Sequence, residues 1–186
     1  MLVPFLLDNC VTLSSSYDCI SMKKALVILL SLMAAIVAGC YLTLVECDPV
    51  QRNRAAYSLS QEQISRIVSE TAGMQPEQIV RYGVRFTSSS LKFSRKVNCC
   101  TYADMTSAVC NLAFTSNSCG GCHASSVVGT VNVFGIDVCR LTYGITGDPF
   151  FKDHDFNEVT MADGSRIYVD ASMYDVTGKM CWRRER

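Results

Sequence analysis

The chain of 186 residues lacks an excess of charge of either sign, since 17 basic residues balance 17 acidic residues. It also lacks a dense basic stripe, so nothing in its electrostatics indicates a nucleic acid or an acidic partner. The sequence has no internal repeat and no low-complexity segment, which argues against a repeat array. Only two histidines are present, so any chemistry that needs an imidazole has few candidates.

Cysteine, in contrast, is abundant, with 11 copies in the chain. Cytosolic proteins of this length rarely carry so many without metal or redox chemistry, so the composition favours an oxidising compartment. We therefore expect disulfides among these cysteines, although their pairing does not follow from the sequence.

The N-terminal region has the order of features that is typical of a secretory signal. Lys23 and Lys24 precede an almost wholly apolar run over residues 25–37, and small residues follow it up to Cys40. Residues 37–40 resemble a bacterial lipobox, in which Cys40 would be the site of lipid attachment. Two alternatives stay open: an uncleaved helix over residues 25–45 that spans a bilayer, or a cleaved signal without lipid.

These features predict four segments along the chain. Residues 1–21 are an extension or lie upstream of the true start, residues 22–40 are the signal, residues 41–59 are a tether, and residues 60–186 are the domain. The basic flank keeps the N-terminus cytoplasmic. We therefore expect a cell-envelope protein, anchored to the membrane by an N-terminal lipid or helix, with its domain facing the periplasm or the cell exterior.

The first half of the domain has helical periodicity. Ser60 and Gln63 form a capping box for a first helix, and Gly73 is placed to end it. Pro76 suits the first turn of a second helix. A third helix is predicted to begin at or just after Cys99, where apolar residues recur at intervals of three and four.

The second half reads as strands. Residues 126–134 and 137–143 are β-branched runs on either side of Gly135, which predicts a hairpin. Residues 156–161 and 166–169 flank an Asp-Gly turn and predict another hairpin. The expected fold class is therefore α+β, with N-terminal helices packed on an antiparallel sheet.

The chemistry is predicted to centre on His154, which begins one strand, and on Asp170, which ends the returning strand. At one end of a hairpin these two side chains can meet, as the base and orienting carboxylate of a cysteine enzyme do. Cys99 and Cys100 lie at a helix start, where the helix dipole favours a thiolate. Cys99 is the preferred nucleophile, and Cys122 is the alternative.

Three motifs resemble those of the transglutaminase-like superfamily, a branch of the papain-like cysteine enzymes. The first is a cysteine at a helix start followed by an aromatic and a small residue, here Cys99, Tyr102 and Ala103. The second begins with His154 and continues Asp-Phe-Asn-Glu-Val, and the third is Asp170 at the end of the next strand. The resemblance implies a papain-like core of helices on an antiparallel sheet.

The resemblance further implies an enzyme that acts on amide bonds of a protein or peptide substrate, as a peptidase, an amidase or an acyltransferase. Cys99 would form a thioester, His154 would accept its proton, and Asp170 would orient the imidazole. This chemistry needs no metal and no cofactor. The segment between the third helix and His154, residues 119–143, is expected to form one wall of the substrate cleft.

Two other function classes stay open. One is a non-catalytic binding module that keeps this fold. The other is a c-type haem protein, because the sequence contains the attachment pattern Cys119-Gly120-Gly121-Cys122-His123, for which Met105 or Met161 would supply the second axial ligand.

Overall fold

The computed structural model describes residues 24, 27–31, 54–132 and 136–180, and the backbone alone of residues 42–51, 133 and 182–185. Residues 42–186 form one compact unit. The predicted lipid attachment site, Cys40, lies outside the described residues. No helix in the described part of the chain has the length and apolar character needed to cross a membrane.

Three helices begin the described domain, and each begins where the sequence predicts. Helix α1 spans Gln61–Thr71, α2 spans Pro76–Ser90 and α3 spans Cys99–Ser116. The capping box of α1 is confirmed, because the Gln63 amide donates to Ser60 Oγ at 3.2 Å and the Ser60 amide donates to Gln63 Oε1 at 2.9 Å.

An antiparallel sheet contains one strand that precedes these helices in the chain and five strands that follow them. Its strands are β1 Leu42–Gln51, β2 His123–Val133, β3 Ile136–Asp137, β4 His154–Thr160, β5 Arg166–Val169 and β6 Trp182–Glu185. The strands lie side by side in the order β1-β2-β4-β5-β6, and β3 pairs with β2. The strands predicted for residues 156–161 and 166–169 are confirmed as β4 and β5, and the α+β fold class holds.

One predicted strand is wrong. Residues 137–143 continue as a helix, α4 Val138–Thr146, rather than as the second strand of a hairpin. Asp137 caps this helix by accepting from the Arg140 amide at 2.8 Å, and Gly147 ends it with a φ of 65°. These two capping residues outweigh the β-branched composition of the segment, because propensity is only a weak prior.

Two further elements differ from the expectation. Residues 42–51, assigned to the tether, form β1, which pairs with residues 127–133 of β2. A short helix, α5 Ala171–Thr177, begins directly after β5, because the Asp170 side chain caps its first amides. A 3₁₀ turn at Pro149–Phe151 precedes β4.

The sheet has a packed layer on each face. The larger core lies between the three N-terminal helices and the sheet, and it includes Ile79, Val109 and Val159, all fully buried. The α2–α3 contact is very close at Gly83, where an added Cβ would lie 2.4 Å from Cys110 Sγ. A smaller core on Phe156 and Tyr168 is covered by Cys139 and Met173. Strand β4 therefore presents alternate side chains to two different environments.

Candidate active site

His154 and Asp170 meet as the sequence predicts. His154 is the first residue of β4, and Asp170 lies between the end of β5 and the first turn of α5. The Nε2 atom of His154 forms a short hydrogen bond with Oδ2 of Asp170. The other carboxylate oxygen accepts from Ser172 Oγ at 2.7 Å and from the amides of Ser172 and Met173 at 2.9 and 3.0 Å. The carboxylate that orients the imidazole is therefore itself fixed on both oxygens.

Burial and charge act in opposite directions on this pair. Burial favours the neutral imidazole, but the charge of Asp170 and its hydrogen bond outweigh burial and hold the pKa of His154 above its ordinary value. Burial likewise opposes ionisation of Asp170, whereas His154, the Met173 amide and the Ser172 hydroxyl lower the pKa of that carboxyl below its ordinary value. The pair is thus suited to an imidazolium beside a carboxylate.

Cys99 and Cys100 are the first two residues of α3. Asn98 caps this helix, because its side-chain oxygen accepts from the Cys100 amide at 3.1 Å. The Cys100 thiol donates to Oδ2 of Asp155 at 3.0 Å, and Cys99 Sγ lies 3.9 Å from the same oxygen. The backbone amide of Asp155 also donates to Cys99 Sγ. Both thiols therefore lie against the start of β4.

The pKa values of the two thiols are shifted in opposite directions. The pKa of Cys100 is lowered to about 7, first because the Cys99 thiol donates a hydrogen bond to its sulfur, and also because Arg54 donates one. The same hydrogen bond, together with burial, raises the pKa of Cys99. Cys100 is therefore the more acidic of the two thiols.

Asp155 is a site residue that the sequence analysis missed. Its side chain is only 1% exposed, and its Oδ1 accepts from Arg54 Nη2 at 2.9 Å. Arg54 also lies 3.1 Å from Oδ1 of Asp104 on α3. The sequence offered one signal for it. Asp155 lies two and four residues before Asn157 and Val159, so the alternation of a strand places all three on the face toward the larger core.

Cys99 and His154 line the same cavity, which has a volume of about 390 Å³. Within the described residues the Cys99 thiol forms no hydrogen bond with the His154 ring. Val131, Val138, Cys139 and Thr142 also line the cavity, so the segment between α3 and His154 contributes one wall of it. Most of the remaining lining is apolar and comes from Phe93, Phe150, Phe151, Met173 and Val176.

Cys122, the alternative nucleophile, lies beside the end of β4 that is far from His154. His123, the next residue, pairs with Thr160, whereas His154 pairs with Gly129. Six residue steps separate the two ends, about 20 Å along a strand. His154 therefore cannot serve Cys122 as a base.

The three groups of the haem pattern lie around two different cavities. Cys119 and Cys122 line one of about 310 Å³, and His123 lines another of about 260 Å³ together with Arg54 and Tyr57. Met105 and Met161 are both buried in the larger core. This arrangement does not favour a haem whose plane is flanked by His123 and one of these methionines.

Asn157 joins β4, which begins with His154, to α3, which begins with the two thiols. Its side-chain amide donates to the carbonyl of Ala103 and to Ser107 Oγ, both at 2.8 Å. Asn157 is fully buried.

Comparisons with known proteins identify no relative: no family model, no curated protein and no solved structure matches this chain. The site itself is therefore the basis for any assignment of function.

Proposed function

We propose that this protein is a cysteine enzyme of the transglutaminase-like kind, which acts on amide bonds through a thioester on Cys99. The observation that carries the proposal is the cavity shared by Cys99 and His154, with Asp170 holding the imidazole. The finer description of the fold as a papain-like core belongs to this proposal. It is supported by the order of the parts: a cysteine at a helix start, then a histidine and an aspartate on neighbouring strands.

The reaction begins with transfer of the Cys99 proton to His154. Asp170 stabilises the imidazolium that forms, since its charge already favours the protonated ring. The Cys99 sulfur attacks the amide carbonyl, and the backbone amide of Cys99 would stabilise the oxyanion. His154 then gives its proton to the leaving amine or ammonia, the C–N bond breaks and a thioester remains. Water or a second amine resolves the thioester.

The raised pKa of Cys99 means that its thiol needs a base, which is the role proposed for His154. Rotation of the Cys99 side chain within the shared cavity would bring the thiol within hydrogen-bond reach of His154, since catalytic hydrogen bonds are often long in the free enzyme.

The cavity walls indicate the kind of substrate. Phe93, Phe150, Phe151, Met173 and Val176 would contact the part of the substrate next to the reacting carbonyl. We therefore expect a protein or peptide that carries an apolar group at this point, because burial of apolar surface contributes about 25 cal/mol per Å². A lipid on Cys40, or an uncleaved helix over residues 25–45, would anchor the enzyme at the cell envelope, as the signal and lipobox resemblance implies.

The test is the rate of alkylation by iodoacetamide, followed by mass mapping of each cysteine. Cys139 is the internal control because it lines the same cavity as Cys99 and therefore has similar access. We expect Cys99 to react at least about tenfold faster than Cys139, and His154→Gln to remove that difference, because a positioned base contributes about 10²-fold or more. Equal rates at Cys99 and Cys139 in the wild type would contradict the proposal.

A further inference from the structure

We propose that Cys99, Cys100 and Asp155 form a binding site for one thiophilic divalent cation, with Zn²⁺ as the representative ion. Bound there, the cation blocks the Cys99 thiol. The binding itself stands independently of the proposed enzyme function, whereas inhibition by the cation rests on it.

The donor atoms are already grouped. The two sulfurs and a carboxylate oxygen of Asp155 all lie within 4.8 Å of one another. The Asp155 oxygen is 3.0 Å from Cys100 Sγ and 3.9 Å from Cys99 Sγ. Neighbouring ligands of a tetrahedral zinc ion lie roughly 3.5 to 3.8 Å apart, given zinc–sulfur bonds of about 2.3 Å and zinc–oxygen bonds of about 2.1 Å. Small side-chain movements would therefore complete the coordination.

The charges also balance. On binding, Cys99 and Cys100 release their protons to solvent, so two thiolates and one carboxylate face a doubly charged ion. The net charge of −1 is offset by Arg54, whose Nη2 lies 2.9 Å from the other Asp155 oxygen. Asp155 can thus bind the cation through Oδ2 without giving up Arg54. Buried charges are tolerated when they are paired in this way.

The chemistry of the donors selects the ion. Thiolates are soft ligands that favour Zn²⁺ and other thiophilic ions over Mg²⁺ or Ca²⁺, which prefer oxygen ligands. With three protein ligands the ion keeps a fourth position for water, as in other three-ligand zinc sites. A cysteine bound to the ion cannot attack an amide, because its electron pair is held by the metal.

The experiment uses the reduced full-length protein and measures how Zn²⁺ slows alkylation of Cys99 by iodoacetamide. In the wild type, we expect the rate at Cys99 to fall as Zn²⁺ is added. In Asp155→Asn and in Cys100→Ser, we expect at least about tenfold more Zn²⁺ to be needed, since even a group that only supports a ligand is worth 10- to 100-fold in affinity.

Two control variants make the test specific. Asp104→Asn removes the other carboxylate that Arg54 contacts but leaves the three donors intact, so its Zn²⁺ dependence should match the wild type. The double variant Cys119→Ser/Cys122→Ser removes the other close pair of thiols and should also match it. Competition with a chromogenic chelator should show the loss of one bound Zn²⁺ in Asp155→Asn and in Cys100→Ser alone.

Each outcome is decisive. Unchanged Zn²⁺ protection of Cys99 in both Asp155→Asn and Cys100→Ser would overturn the site, and so would an equal weakening in Asp104→Asn. Circular dichroism identifies a variant that fails to fold, and the two ligand variants serve as independent tests. Failure of the enzyme proposal is seen separately, as slow Cys99 labelling without Zn²⁺ that does not depend on His154.

Discussion

His154 and Asp155 are consecutive residues of β4, yet their side chains leave the strand on opposite faces. The His154 ring stacks against Phe156, with ring centroids 6.4 Å apart, and bonds to Asp170. The Asp155 carboxylate instead contacts Cys100 and Arg54. The start of α3 meets this point of the strand, so Cys99 has a carboxylate on one side and the cavity of the base on the other. Cys99 is accordingly both the proposed nucleophile and one of the three proposed ligands of the cation.

The His154–Asp170 pair should stabilise the fold in a defined pH range. His154, with its raised pKa, contributes below the ordinary value of 6.5 and loses that contribution as the pH rises through its folded pKa. Asp170, with its lowered pKa, contributes above the ordinary value of 3.8 and loses that contribution as the pH falls through its folded pKa. The stabilisation should therefore be greatest between these two values.

Asp170→Asn tests this range, because an amide keeps the capping oxygen for α5 and removes the charge. We expect the free energy of unfolding to fall by about 3–5 kcal/mol between pH 4 and pH 6.5, roughly the interval between the ordinary pKa values, and by less at higher pH. Urea unfolding at a series of pH values measures the difference. His154→Gln should give the same profile, and a loss that does not vary with pH would contradict this assignment.

Arg54 should be far more important to stability than a surface arginine. Arg54→Met would leave the Asp155 carboxylate, 1% exposed, without its cation, at a cost of about 3–5 kcal/mol. The matched control is Arg166→Met, because Arg166 is 52% exposed and pairs with Glu158, and such pairs contribute about 0–1 kcal/mol. Chemical denaturation compares the free energy of unfolding of the two variants. Equal decreases would show that the buried Arg54–Asp155 pair stabilises the fold no more than an exposed pair does.

The same substitution should change the reactivity of Cys100. Arg54 helps to lower the pKa of Cys100 to about 7, so its removal should raise that pKa. We expect the pH midpoint of Cys100 alkylation to move upward in Arg54→Met and to stay unchanged in Arg166→Met. A midpoint that does not move would show that the Cys99 hydrogen bond alone lowers the pKa.

Gly83 should be sensitive to the addition of a single methyl group. An alanine Cβ would lie 2.4 Å from Cys110 Sγ, so Gly83→Ala should destabilise the protein by about 1–3 kcal/mol through overpacking. Gly144→Ala is the control, since its Cβ would have no neighbour within 4 Å. Thermal unfolding measures both variants.

The double variant Gly83→Ala/Cys110→Ala identifies the cause. Removal of the Cys110 sulfur should relieve the clash, so the double variant should lose less stability than the sum of the two single variants. Additive losses would point to a different effect of the methyl group on α2.

Asn157 should couple the stability of the fold to the reactivity of Cys99. Asn157→Ala leaves the Ala103 carbonyl without this donor, which should cost about 1–3 kcal/mol and loosen the contact of β4 with α3. Asn111 is the control, because it joins the same helix to Ala124 on β2 through two hydrogen bonds of 2.8 Å. We expect only Asn157→Ala to slow the His154-dependent alkylation of Cys99.

The capping residues and the periodicity of the chain made the three long helices predictable. Ser60, Pro76 and the run after Cys99 mark where each one begins, because caps and periodicity act within a few neighbouring residues. The meeting of His154 and Asp170 was predictable for a similar reason. A hairpin brings its two strands together locally, and the Asp-Gly turn fixes which residues lie side by side.

Predictions from local sequence patterns were wrong in two segments. Residues 137–143 have strand composition, but Asp137 and Gly147 cap a helix there, and the helix forms. Residues 42–51 read as a tether because a strand of this kind exists only when β2 is available to pair with it.

The sequence by itself determined the fold class, the three helices, the His154–Asp170 pair and the candidate nucleophiles, because each depends on neighbours along the chain. Only the tertiary structure showed that Cys99 shares a cavity with His154 and that Cys122 lies beside the far end of β4, since both positions depend on how the helix packs on the sheet. It also revealed Asp155 and Arg54, which are 101 residues apart. Contacts over such separations follow from the packing of helix on sheet, which no local pattern encodes.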